Sequence, residues 1–317
     1  MTFKPRSKVA AKSSGKITMT RFQGILPALV TPFDAEGRFR PDSFERLLDH
    51  CYSAGVDGVY VCGQTGEGLQ QSGEQRKRVV EVAARCSPKD KTIIVHTGAM
   101  STAEAVDLTK HAARAGAHAV SALPPIGAYS FAEIKAYYTA IAAASDLPLL
   151  IYYFPSLAPS INSLDRILDL CAISNVCGLK FTDNDLFKLS EIKRRGATVF
   201  YGTDEMLLAG LAMGADGGIG SFYNVAPELF VRLWTLTRQG EWEQARALQQ
   251  QINEMIAIGL RFPAHPAVKA MVARRGIDCG KCLPPRRGLT AEEEARLDEM
   301  IAGSDFIATL LARGAAQ

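Results

Sequence analysis

Val176-Cys177-Gly178-Leu179-Lys180-Phe181-Thr182-Asp183 is an apolar run with one lysine in its middle. Short runs rich in β-formers read as buried strands. Side chains alternate along a strand, so Lys180 shares a face with Gly178 and Thr182, while Leu179 and Phe181 point the other way. If Leu179 and Phe181 pack on helices, Lys180 points into the centre of the fold. Burying an unpaired ammonium is costly, so such a lysine is expected to lose its proton more readily than usual and to be available as a neutral amine. That is the form that attacks a ketone to make a Schiff base. The plainer alternative is a lysine at a strand end, reaching water or pairing with Asp183.

Outward from this strand, strand-like and helix-like segments alternate. Upstream, strands are predicted over residues 22–30, 56–62, 92–95, 119–123 and 149–154. Helices are predicted over 41–54, 75–85 and 163–172, with two more beginning at Ser101 and Ser130. Ser72, Ser101 and Ser130 each stand three residues before Gln75, Glu104 or Glu133, the spacing of a capping box. Downstream, strands at 198–201 and 217–221 alternate with helices at 186–194, 206–213 and 227–236. Eight such units match a (β/α)₈ barrel, with a doubly wound open sheet as the alternative. No G-x-G-x-x-G follows the first strand, which counts against a dinucleotide-binding sheet. From residue 240 the pattern is helical only, over 241–260, 266–274 and 290–312. The expected organisation is therefore a tail over 1–20, a barrel over 21–239 and a helical extension over 240–317.

Composition narrows the function classes. The chain has 317 residues, 47% of them hydrophobic and 22% charged, with a formal net charge of +3. Lys4, Arg6, Lys8, Lys12 and Lys16 lie in the first twenty residues without an acid among them. That segment lacks an apolar core of the secretory kind and reads as a disordered basic tail. No basic face continues beyond it, so a nucleic-acid partner is not expected. No run approaches the roughly 18 apolar residues of a membrane span. Seven cysteines, most of them within apolar stretches, suit reduced thiols in a cytoplasmic protein. Cys279-Gly-Lys-Cys282 stands without a second pair or nearby histidines, so no metal site is expected.

In a barrel of this kind the chemistry lies at the C-terminal strand ends. Gly63-Gln64-Thr65-Gly66-Glu67-Gly68 follows the second strand; its glycines can expose N–H groups to an anion, with the Thr65 hydroxyl as a further donor. Tyr152 shares a face with Leu150 and Phe154 and is a candidate proton relay. Lys180 and Thr182 end the sixth strand. Gly202-Thr203-Asp204-Glu205 and Ser221 follow the seventh and eighth strands and suit a polyhydroxylated substrate, although the two acids could simply complement a helix dipole. A lysine, a tyrosine and an anion loop on three strands describe a class I aldolase acting on a 2-keto acid.

These residues resemble the dihydrodipicolinate synthase / N-acetylneuraminate lyase family of pyruvate-dependent aldolases, over nearly the whole chain beyond the tail. Gly63–Gly68 is similar to its G-[ST]-T-G-E carboxylate loop, Tyr152–Pro155 to its Y-N-x-P strand, and Gly178-Leu179-Lys180 to its G-[IL]-K lysine. The resemblance implies a (β/α)₈ barrel with three extra C-terminal helices, usually a homotetramer. It implies Lys180 as the Schiff-base lysine, Tyr152 as the proton carrier and Thr65 beside the carboxylate, which Gly63 and Gln64 also hold. No cofactor is implied. The lyase branch is the nearer one: Leu157 stands where the synthase branch usually has an arginine. The segments 178–183, 202–205 and 217–224 resemble the lyases' sugar-binding stretches, which implies Thr182, Gly202, Asp204, Glu205 and Ser221 as contacts to a sugar acid.

Three differences bear on the substrate. Gln64 replaces a serine or threonine, Tyr153 replaces the usual asparagine, and residues 124–129 lack a tyrosine pair that many members carry there. An aldolase or dehydratase for another 2-keto-3-deoxy sugar acid, or a synthase-type condensation, is the alternative enzyme. A small-molecule binding protein on the same scaffold is the non-enzymatic one.

Overall fold

The computed structural model describes residues 22–312, and the expectation of a disordered tail over 1–20 lies outside them. Eight strands run in chain order: β1 (Gly24–Pro27), β2 (Gly58–Val61), β3 (Thr92–His96), β4 (Ala119–Ala122), β5 (Leu149–Tyr153), β6 (Val176–Phe181), β7 (Thr198–Tyr201) and β8 (Gly217–Gly220). They form one sheet in which β1 pairs with β8 and each later strand with its sequence neighbour, all parallel. A parallel bridge between Ala28 and Tyr60 joins β1 to β2 and closes the ring. The fold is therefore the barrel, not the open sheet.

The strand alternation separates two cores. Ile151, Tyr153, Leu179, Phe181, Val199 and Tyr201 point outward into the large core shared with the helices. Leu26, Ala28, Tyr60, Ile94, Ala119, Leu150, Cys177, Phe200 and Ile219 fill the barrel. Each such fully buried large apolar side chain contributes roughly 1.5–3 kcal/mol relative to exposure. Gly178 sets the β6–β7 approach: a Cβ there would lie 1.8 Å from the Thr198 carbonyl oxygen.

The outer helices are α1 (Pro41–Ser53), α2 (Gly73–Cys86), α3 (Thr102–Arg114), α4 (Phe131–Ala142), α5 (Leu164–Cys171), α6 (Leu186–Arg194), α7 (Leu207–Ala212) and α8 (Pro227–Gln239). The helix predicted over 206–213 is shorter, because Asp204–Met206 form a 3₁₀ turn first. Ser72, Ser101 and Ser130 all cap helices by accepting from the N–H three residues on. Only Ser130 forms the reciprocal box, with Glu133. Gln75 instead turns to the loop after β1, where its Oε1 accepts from Phe39 N at 3.0 Å and its Nε2 donates to Gly37 O at 3.3 Å.

After α8 come α9 (Trp242–Gly259), α10 (Ala264–Arg274), α11 (Ala291–Ala302) and α12 (Asp305–Ala312). The last predicted helix is thus two. Gly303 ends α11, and Ser304 Oγ accepts from Ile307 N at 3.3 Å to start α12. Helix α10 packs against α9, α12 and the 3₁₀ turn Phe222–Asn224 that follows β8. This places α10 at the C-terminal mouth of the barrel.

Candidate active site

Lys180 lies inside the barrel, 5% exposed, in register with Tyr152 on β5 and Phe200 on β7. Its Nζ sits over the Tyr152 ring, 3.8 Å from the centroid, and 5.5 Å from that of Tyr60. Among the described residues it forms no ion pair. Asp183, the partner in the plainer reading, instead faces Lys188 at 3.4 Å and accepts from Tyr153 Oη at 3.1 Å. Tyr153 points to the outside of β5, as the alternation requires.

Two residues not singled out from the sequence complete this inner group. Tyr60 donates to Ser121 Oγ at 3.2 Å, and its ring packs edge-on to that of Tyr152. His96 at the end of β3 also meets the Tyr152 ring edge-on, at 6.1 Å. Burial first, and then the charges of Arg76 and Lys180, push the His96 imidazole well below its ordinary pKa, so it is neutral at pH 7. Its Nε2 accepts from Leu123 N at 3.0 Å, which leaves the proton on Nδ1. A histidine ending an apolar strand, at the level where barrels place their chemistry, was the available signal.

Cys62, just before the 63–68 loop, and Glu67, next to its last residue, are non-glycine residues at positive φ, 59° and 55°. That curl returns the chain on itself, with Glu67 N donating to Gln64 O and Gly68 N to Gly63 O, each at 3.0 Å. Gly66 O is fixed by Thr31 Oγ1 at 2.8 Å and Gln71 Nε2 at 2.7 Å. The N–H groups of Thr65 and Gly66 have no acceptor among the described residues. Unpaired N–H groups on a curled backbone form a concavity for an anion. Gly63 lies against the Tyr60 ring, 2.4 Å from where a Cβ would sit, so the loop reaches the Lys180 group through Tyr60. Gln64 is half-buried, and its carbonyl faces His265.

Thr65 Oγ1 is 2.6 Å from Ser221 Oγ, joining the loop to the end of β8. Both line a cavity of about 150 Å³ together with Gly202, Asp204, Glu205 and His265. Asp204 is buried, and its Oδ2 accepts from Phe222 N at 2.8 Å. Burial raises its carboxyl to about 7, against the backbone donors that favour the charged form. Glu205 is exposed at the rim. His265, from α10, is held at about 4, mainly by burial and by the Arg286 charge. Thr182 faces Gly202, where a Cβ would come 2.2 Å from its Oγ1, and that buried oxygen has no protein partner. The structure thus collects Thr65, Gly202, Asp204, Glu205 and Ser221 in one cavity, with Thr182 behind Gly202. Lys180 and Tyr152 lie together inside the barrel, and Lys180's charge reaches Asp204. A primary amine, a phenol, an anion nest and a polar cavity are together equipped for Schiff-base chemistry on a hydroxylated keto acid.

Comparison with known proteins gives the same picture. A Rhizobium meliloti (strain 1021) N-acetylneuraminate lyase is 36% identical over 286 residues, covering 89% of this chain and 95% of the relative. A Clostridium difficile protein, solved in complex with mannosamine, superposes with a TM-score of 0.85 at 31% identity, over 90% of this chain and 99% of that one. A Ruminococcus gnavus sialic acid aldolase does so with a TM-score of 0.85 at 28% identity, over 92% and 98%. Residues 21–303 match the sequence model of the dihydrodipicolinate synthetase family. That match spans the barrel and most of the helices after it, and the chain belongs to this family.

Proposed function

We propose that the chain is a class I aldolase that cleaves N-acetylneuraminate, a 2-keto-3-deoxy sugar acid, to pyruvate and N-acetylmannosamine. The observation that carries this reading is Lys180, buried inside the barrel over the Tyr152 ring and without an ion pair among the described residues, beside a 63–68 loop whose Thr65 and Gly66 N–H groups have no acceptor there. In the proposed sequence the Lys180 amine adds to the C2 ketone, and loss of water gives an iminium. The N–H groups of Thr65 and Gly66, and the Thr65 hydroxyl, hold the substrate carboxylate. The iminium accepts the electron pair of the C3–C4 bond as Tyr152 takes the proton from the C4 hydroxyl and passes its own to the substrate carboxylate, from which a proton returns to C3. The aldehyde leaves, the enamine is protonated at C3, and water releases pyruvate from Lys180. Thr182, Gly202, Asp204, Glu205 and Ser221 hold the hydroxylated chain. The names of the relatives support this substrate over a synthase-type condensation, as does Leu157 in place of an arginine.

The proposal includes a cytoplasmic homotetramer. No helix among the described residues is long and apolar enough to cross a membrane. Met100, Ile126 and Tyr129, exposed after β3 and β4, give apolar surface for subunit contact. Light scattering at four times 34.3 kDa would agree with it, and a monomer would refute it.

Incubation with pyruvate and borohydride tests the chemistry. A reduced pyruvyl adduct on Lys180, absent in Lys180→Ala, is expected, together with pyruvate release from N-acetylneuraminate. No adduct at saturating pyruvate would overturn the reading.

A further inference from the structure

We infer that Lys269 of α10 is a positioning residue for the carboxylate loop, acting through Glu67. This rests on the reading of the 63–68 loop as the substrate-carboxylate site. Glu67 is wholly buried and held in the left-handed region, two residues after Thr65. Its Oε1 meets Lys269 Nζ at 2.8 Å, and Lys269 is itself 3% exposed. Its Oε2 accepts from Leu283 N at 2.7 Å. Lys269 also donates to Lys281 O at 3.1 Å and lies over the Phe33 ring, 4.4 Å from its centroid. One buried ion pair therefore joins the loop, α10, the 281–283 segment and the loop after β1.

A packed apolar pair of similar volume would stabilise such a position as well or better, so stability alone does not account for two charges out of water. What the pair provides is direction. A non-glycine residue at φ 55° holds that conformation only where its surroundings impose it. The two tethers on the Glu67 carboxylate do so, and the resulting curl leaves the Thr65 and Gly66 N–H groups without an acceptor among the described residues. His265, one helical turn earlier on the same face of α10, lies against the Gln64 carbonyl. The same helix thus touches the loop on both sides of Thr65. Lys180 stands on β6 and depends on none of these contacts.

The consequence is separable by ligand. Borohydride trapping is measured against concentration for pyruvate and for hydroxyacetone, a ketone without a carboxylate. The variants are Lys269→Met and the double Glu67→Gln/Lys269→Met, which leaves no lone buried charge and keeps an acceptor for Leu283 N. In the folded double variant, half-saturation by pyruvate is expected to rise at least tenfold, with hydroxyacetone trapping within twofold of wild type. Unchanged pyruvate saturation would overturn the inference, as would equal loss with both ketones, since a merely structural role moves both alike. Absence of the wild-type pyruvate adduct would instead refute the aldolase reading itself.

Discussion

Replacing Asp204 by asparagine removes the one buried carboxyl of the cavity and leaves its shape. Asp204 has an ordinary value of 3.8 and stands at about 7 in the folded chain. Between these values the unfolded chain has lost a proton that the folded chain keeps. Stability from this group is therefore greatest in acid and falls as pH rises, until Asp204 ionises in the fold near 7. At about 1.4 kcal/mol per pH unit, wild type loses roughly 2.5 kcal/mol between pH 5 and pH 8 that the asparagine variant does not lose. In Asp204→Asn the amide oxygen would still accept from Phe222 N, so the comparison isolates the charge. Denaturant unfolding at the two pH values is the assay, and the difference between variant and wild type should move in the variant's favour at pH 8. A difference that stays constant, or moves the other way, would refute the argument that burial dominates at Asp204.

Two further outcomes follow from the inner group and the sheet. Tyr152→Phe keeps the ring under Lys180 but removes the phenol; pyruvate trapping should persist while retro-aldol turnover falls about 10²–10⁴-fold, the range for lost acid–base catalysis. Turnover within threefold of wild type would exclude Tyr152 as proton carrier. Gly178→Ala sets a methyl 1.8 Å from the Thr198 carbonyl oxygen on the neighbouring strand. Soluble expression should fail, and a soluble variant with wild-type melting temperature would show that β6 and β7 can separate freely.

Lys180 and the barrel could be read from the chain because both follow from local pattern. A single charge in a period-two apolar run has only one face to occupy, and Leu179 and Phe181 on the other face belong to the helix-side core. Asp204 was ambiguous for the opposite reason. A helix-dipole partner and a tie across the barrel mouth look alike in sequence, and only the contact with Phe222 N separates them. His96, His265 and Lys269 were not found, since the role of each depends on what folds against it. Gln75 shows the same limit on a small scale: the box spacing is present, but the side chain is drawn to Phe39 and Gly37. The break between α11 and α12 turns on Gly303 and Ser304, which interrupt an otherwise continuous helical pattern.

The Glu67–Lys269 pair also sets an order of events during synthesis. The two partners are about 200 residues apart, which at 5–20 residues per second leaves roughly 10–40 s between their emergence from the ribosome. During that interval the first strands can pair and the helices can dock, but the Glu67 carboxylate has no counter-charge to settle against. The loop is completed only when α10 arrives. On the inference drawn above, a nascent barrel with all eight strands and Lys180 in place would hold a keto acid only weakly, and full affinity would come with the last quarter of the chain.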